Sequence, residues 1–175
     1  MPSSIQLNWI TAPDTDPDTV AERAESIRRG LGLAVLNRRL GEIARADNAP
    51  FLGAGGSYQT LFDSLSLGVL SVAFNQGAWK PALERVEQES RRLAQYGVTD
   101  AELQREITEG RTALQNAVAT AATRSTPALA AGLLNAVNED DVFSTPATAL
   151  AIFDQTVEGL TADQVNTAVR AVFEG

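Results

Sequence analysis

DTVAERAESIRRGLGLAVLNRRLGEIARADNAPFLGAGG, residues 18–56, reads as a long amphipathic helix running into a glycine-rich strand. Apolar side chains fall at Val20, Ala24, Ile27, Leu31, Val35, Leu36, Leu40 and Ile43. Steps of three and four set them on one side of a helix. A helix of about 28 residues is about 40 Å long, enough to cross a sheet. Its stripe is then expected to form one half of the core, with the sheet as the other half. Pro50 ends the helix, and residues 51–62 read as extended chain containing Gly53, Gly55 and Gly56. Glycines inside a strand mark a bulge or a close backbone approach. A phosphate-cradling loop would need a following Gly-Lys-Ser/Thr, which is missing here.

Upstream, IQLNWI (5–10) alternates Ile5, Leu7 and Trp9 against Gln6, Asn8 and Ile10, the pattern of a strand with one apolar face. The link TAPDTDPD (11–18) follows, with Asp14, Asp16 and Asp18 at alternate places and Glu25 twelfth from Asp14. That is the acidic rhythm of a calcium loop. The glycine such a loop requires at its sixth place is Thr19, however, and Pro17 interrupts it. The plainer reading is helix initiation, with Asp16 as cap and Pro17 at the first helical position. Thr19-x-x-Glu22 offers a capping box one turn later.

Downstream, Asp63-Ser64 makes a turn, and LSLGVLSVAF (65–74) carries apolar residues on both faces. It is expected to be the central strand of a sheet and the second strand of a hairpin. The remainder reads as helices. Leu83, Val86 and Leu93 stripe 79–96, which Gly97 ends. Thr99-x-x-Glu102 boxes a helix reaching about Ala122, with Leu103, Ile107, Leu114 and Val118 inward. Ser125-Thr126-Pro127 starts a helix whose buried side is expected to be Leu129, Leu133, Leu134 and Val137. Thr145-Pro146 and Thr161-x-x-Gln164 start two more, with Leu150, Phe153 and Val157, then Val165, Val169, Val172 and Phe173, inward. Between helices, Glu139-Asp140-Asp141 reads as a solvated acidic loop. The fold class is therefore α+β: a small, mainly antiparallel sheet covered by a long helix, followed by a helical array.

Composition narrows the chemistry. The chain has 175 residues, 44% of them hydrophobic, and no apolar run long enough to span a bilayer. No signal peptide opens it, and the compartment, cytoplasmic or periplasmic, is left open. A net charge of −8 argues against a nucleic-acid partner. Thirteen of the fourteen basic residues are Arg, and Lys80 is the single Lys. Cysteine and histidine are both absent. Without them the chain holds neither a conventional zinc site nor the base of a Ser-His or Cys-His nucleophile. A hydrolase built from this chain alone is not expected.

Three segments carry a family resemblance: LAVLNRRLGEIARADNAPFLGAGG (33–56), RRLAQYGVTDAELQREI (91–107) and ATRSTPALAAGLLNAVNEDDVF (122–143). With the order strand, long helix, two strands and helices, they resemble the pitrilysin/insulinase-type zinc peptidases, relatives of the mitochondrial processing peptidase. The resemblance covers nearly the whole chain. It implies a repeated α+β domain whose copies enclose a peptide. The family's His-x-x-Glu-His has no counterpart here, so the match is to the non-catalytic second domain of an N-terminal half. Residues 1–175 are then one domain of a longer parent, with 1–78 the sheet and long helix and 79–175 its helical part. The resemblance places zinc in the parent and none in this chain. It makes the other repeats and a peptide substrate the partners, and the parent a peptidase of which this stretch is inactive. Some members use an Arg and a Tyr of a later repeat to bind substrate. The nearest candidates are Arg45 and Tyr58, at a spacing that departs from the family's. The alternative is a zinc-less scaffold or binding subunit of a peptidase-like complex. A His-x-x-Glu-His about one domain upstream in the parent discriminates the two. A stand-alone enzyme using carboxylates has no paired acids that the sequence places in a cleft.

Overall fold

Strand β1 (Ser3–Thr11) turns Ile5, Leu7 and Trp9 inward and leaves Gln6, Asn8 and Ile10 exposed, as the alternation requires. β2 (Gly53–Leu61) and β3 (Leu65–Phe74) form the hairpin, and Ser64 N–H donates to the Leu61 carbonyl at its turn. All pairings are antiparallel, in the order β1-β3-β2. The strand with apolar residues on both faces is thus central, as expected. The β2–β3 register runs unbroken from Gly53 opposite Ala73 to Leu61 opposite Leu65, so the glycines make no bulge. One of them does mark a close approach: a Cβ on Gly56 would stand 3.1 Å from Leu36 Cδ2. The computed structural model describes every residue except Met1, Asp14, Phe62, Asp63, Glu139 and Gly175. The readings that rest on Asp14, Phe62, Asp63 and Glu139 therefore lie outside the described residues.

Helix α1 (Val20–Ala44) starts one turn later than Asp16 and Pro17 would have it. Thr19 is the cap, its hydroxyl accepting from Glu22 N–H at 3.2 Å. The acids before it are otherwise engaged: the Asp18 carboxylate pairs with Arg23 and accepts from Val142 N–H at 2.8 Å, which keeps the chain irregular up to Thr19. Val20, expected in the stripe, is 52% exposed. The stripe proper begins at half-buried Ile27 and continues through buried Leu31, Val35, Leu36 and Leu40. Gly32, within the stripe, and Leu33, at its edge beside Leu40, are buried too. α1 has β2 on one side and further helices on others, and a helix enclosed this way is apolar over more than one face.

The remaining helices are α2 (Trp79–Tyr96), α3 (Asp100–Ala119), a 3-10 turn (Ala121–Thr123), α4 (Thr126–Asn138), α5 (Pro146–Val157) and α6 (Ala162–Ala171). Gly97 ends α2 at φ +71°, and capping boxes open α3 and α6 where the sequence puts them. Thr145 caps α5. α2 lies beside β1 and β3, α6 beside α1, and α3 packs with α5 behind α1. α6 approaches α1 so closely that a Cβ on Gly32 would stand 2.5 Å from Val169 Cβ. Beyond its last turn the chain meets the sheet: a Cβ on Gly68 would stand 2.0 Å from the Val172 carbonyl oxygen. Phe173 sets its ring edge-on to Trp9, with centroids 5.1 Å apart. One core cluster joins Leu36 and Leu40 of α1, Leu70 and Val72 of β3, Val86 and Leu93 of α2, and Val165 and Val169 of α6.

α4 overturns an expectation. Its supposed buried side is open: Leu133 is 48%, Leu134 62% and Val137 76% exposed, and no residue of the helix is buried. The helix carries no charge, and Val142 and Phe143 just beyond it are exposed as well. Its apolar face has no neighbour among the described residues to bury it, so periodicity alone named a face without a partner. No helix of the described residues is long and apolar enough to cross a membrane.

Candidate functional site

Two arginines between buried Leu36 and Leu40 organise the polar interior. Arg38 makes ion pairs with Glu106 and with Glu109, the latter at 2.6 Å. Arg39 grips Glu102 with two nitrogens, each at 2.7 Å, and donates to the Gly97 carbonyl at 3.0 Å. Glu102 also closes the capping box of α3 through Thr99 N–H at 2.8 Å. The Arg39 hydrogen bonds hold its carboxyl down at about 2, against the opposing effect of burial and with help from Thr99. The same bonds raise Arg39 above its ordinary value, and Glu106 and Glu109 do so for Arg38. Glu89 of α2, 1% exposed, is ringed by Arg85 at 3.4 Å and by Arg39 and Arg92 at 3.7 Å each. Arg85 and Arg92 are local neighbours of Glu89 on α2, but the links from Arg38 and Arg39 are not announced by local sequence, because their partners lie 50 or more residues further on. The available signal was Arg38-Arg39 set inside a buried stretch, where each charge requires a counter-ion.

Carboxylates elsewhere are also held. Asp18 is pulled below the usual range by Arg23, against burial and aided by the Val142 N–H, and Arg23 rises correspondingly. Arg23 further donates to Ser144 Oγ at 2.9 Å and to the Val142 carbonyl at 2.6 Å, so the acidic link and the 142–144 loop are clasped together. Among the described residues no group of three or more His, Cys, Asp or Glu side chains is placed to hold a metal ion. The calcium rhythm thus has Asp18 committed to Arg23 and Asp14 outside the described residues.

Arg45 and Tyr58 are not brought together. Arg45 is the exposed C-terminal cap of α1. Tyr58, half-buried against the core, lies under the Arg29 guanidinium at 4.0 Å from its ring centroid. Arg29 and Arg45 are 16 residues apart on one helix, about 24 Å along its axis.

The sheet has one covered face and one open face. On the open face Gln6, Asn8, Ile10, Ser57, Gln59 and Ser71 are exposed around buried Val69. Its two edges differ. At β2, the Asn37 side chain accepts from Gly56 N–H at 2.7 Å and donates to the Gly56 carbonyl at 3.0 Å. At β1 no such cover exists among the described residues.

No protein-family model matches the chain, and no curated protein matches its sequence. Solved structures do match. The first half of the periplasmic protease PqqL from Escherichia coli superposes with a TM-score of 0.81 at 16% identity, over 97% of this chain and 36% of that one. A predicted insulinase family protease from Yersinia pestis gives 0.81 at 16% identity, over 98% and 37%. A peptidase M16 inactive domain from Pseudomonas fluorescens gives 0.65 at 17% identity, over 97% and 37%. The chain thus spans little more than a third of the length of each. The fold of this chain is that of the insulinase-type M16 peptidases, carried by a sequence without a histidine.

Proposed function

We propose that this chain is a non-catalytic, chamber-forming domain of a zinc metalloendopeptidase, its partners being the other repeats of the same parent and a peptide substrate. The observation that carries the reading is the pairing of an M16 peptidase fold with a chain that has neither His nor Cys. The zinc and the glutamate base that activates its water would belong to a different repeat. Two features support cover by further chain: the bare apolar face of α4 and the free sheet edge at β1. The 1–175 chain is then one domain of the parent. Arg45 and Tyr58, too far apart for one subsite, would touch substrate separately; replacing each in the parent and reading KM against kcat tests them.

The direct test is an assay of the purified chain against unstructured peptides with zinc added. No turnover is expected, and chelator-sensitive cleavage would overturn the assignment. Reading the parent's upstream sequence completes the test: a His-x-x-Glu-His about one domain earlier supports the peptidase, and its absence redirects the reading to a zinc-less scaffold.

A further inference from the structure

α4 and the residues just after it are folded on themselves. The helix buries no residue, and no other helix or strand of the described residues packs along it. Its far end closes locally: with Asp140 in the left-handed region at φ +54°, Asp141 N–H returns to the Ala136 carbonyl at 2.8 Å. Phe143 lies back on the helix, since a Cβ on Gly132 would stand 3.2 Å from Phe143 Cε2. At the near end, the 3-10 turn Ala121–Thr123 and the extended Arg124 make only local hydrogen bonds. Two side chains tie this unit to the rest of the molecule. Among the described residues, the long-range hydrogen bonds from 121–144 all end on Asp18 and Arg23. Arg23 holds Asp18 with one part of its fork and reaches Ser144 Oγ and the Val142 carbonyl with the rest, while Asp18 accepts from Val142 N–H. Both stand at the start of α1, Asp18 one residue before its cap.

We infer that α4 is an arm hinged at 121–125, and that Asp18 and Arg23 form the latch that holds it at 142–144. Latched, the arm aims Leu133, Leu134 and Val137 in one direction. Unlatched, the helix keeps its own hydrogen bonds, its Ser125 cap and its Phe143 contact, and the same face sweeps through a range of directions. The four contacts act together because the guanidinium fork spans Asp18, Ser144 and the Val142 carbonyl at once, so its removal also leaves the Asp18 carboxylate without its counter-ion. The inference concerns how the α4 face is aimed and not what covers it, and it stands apart from the peptidase reading.

The test uses the 175-residue chain, whose lack of cysteine lets spin labels be placed at chosen positions. Labels at Ala131→Cys on α4 and Gln104→Cys on α3, both exposed, should give one narrow distance by pulsed electron resonance. Labels at Gln104→Cys and Gln155→Cys on α5 supply a fixed reference, because α3 and α5 pack together. Arg23→Gln should widen the first distribution by about two-fold or more and leave the reference as it was, with the far-ultraviolet helix signal retained. Asp18→Asn should act in the same direction. Arg91→Gln, which breaks an exposed pair with Glu87 and removes the same charge, should change neither distance. The inference is overturned by a first distribution that stays narrow in Arg23→Gln, or by one already broad with Arg23 in place. Equal broadening of the reference pair, or loss of helix signal along with the broadening, would overturn it too, since the pair would then be a staple of the whole fold and not a latch on one arm.

Discussion

Glu102 joins two helices at once, since one carboxylate both closes the cap of α3 and receives the Arg39 fork from α1. Its pKa lies at about 2 instead of the ordinary 4.5, so the folded state favours the ionised form. A depressed carboxyl contributes stability that is full above its unfolded value and is lost as pH falls through the folded one. Thermal unfolding followed from pH 6 to pH 2 should therefore show stability falling between about 4.5 and about 2. In Glu102→Gln, which keeps the shape and removes the charge, that slope should flatten. A slope unchanged by the substitution would show that the pair contributes nothing. Two glycines make a second contrast. Gly68→Ala would drive a Cβ to 2.0 Å from a main-chain oxygen, with no side chain to swing aside. It should cost about 1–3 kcal/mol, as overpacking does. Gly30 sits exposed in α1 with nothing within 4 Å of its would-be Cβ. Gly30→Ala should stabilise the fold by up to about 1 kcal/mol of helix propensity, read as a higher melting temperature.

Among the elements, α1 and α4 each show an apolar stripe at helical spacing, and the two stripes behave oppositely. Leu36→Ala should cost about 2–5 kcal/mol, because Leu36 is fully buried and its loss leaves a cavity. Leu134→Ala should change stability by less than about 0.5 kcal/mol. Denaturant unfolding of the two variants measures both. Leu31→Asp, which forces a charge into the core without a partner, should not fold. What the sequence showed clearly was local. Thr99, Thr145 and Thr161 announce helix starts through their own neighbours, and 65–74 announces a central strand because both its faces are apolar. What it hid depends on partners remote along the chain. An Ala/Leu face is written the same way whether the chain itself or something else covers it, so α4 could only be misread. Asn37 on Gly56 and Arg39 on Glu102 couple residues 19 and 63 positions apart, and no local pattern encodes them. The start of α1 was misplaced by the same kind of contact, since Arg23 and Val142 engage Asp18.

Across the whole molecule, the sheet, a middle layer of α1, α2 and α6, and the α3–α5 pair share one core. The buried carboxylates Glu89 and Glu106 and the part-buried Glu102 are bound by arginines at the rim of that core: Arg39, Arg85 and Arg92 face Glu89, Arg39 faces Glu102, and Arg38 faces Glu106. A carboxylate gripped by guanidinium groups is a strut and not a base. Chelator treatment should accordingly leave the melting temperature where it was; a fall would reveal a bound ion that helps to hold the fold. Trp9 gives this architecture an optical reporter. Of the two tryptophans, Trp79 is half in water at 53% exposure, whereas Trp9 rests on the ring of Phe173 at the junction of the first strand and the final turn. A Trp79→Phe protein would fluoresce from that joint alone. A red shift that precedes loss of the far-ultraviolet helix signal would then time the moment the C-terminal tail lets go of the sheet.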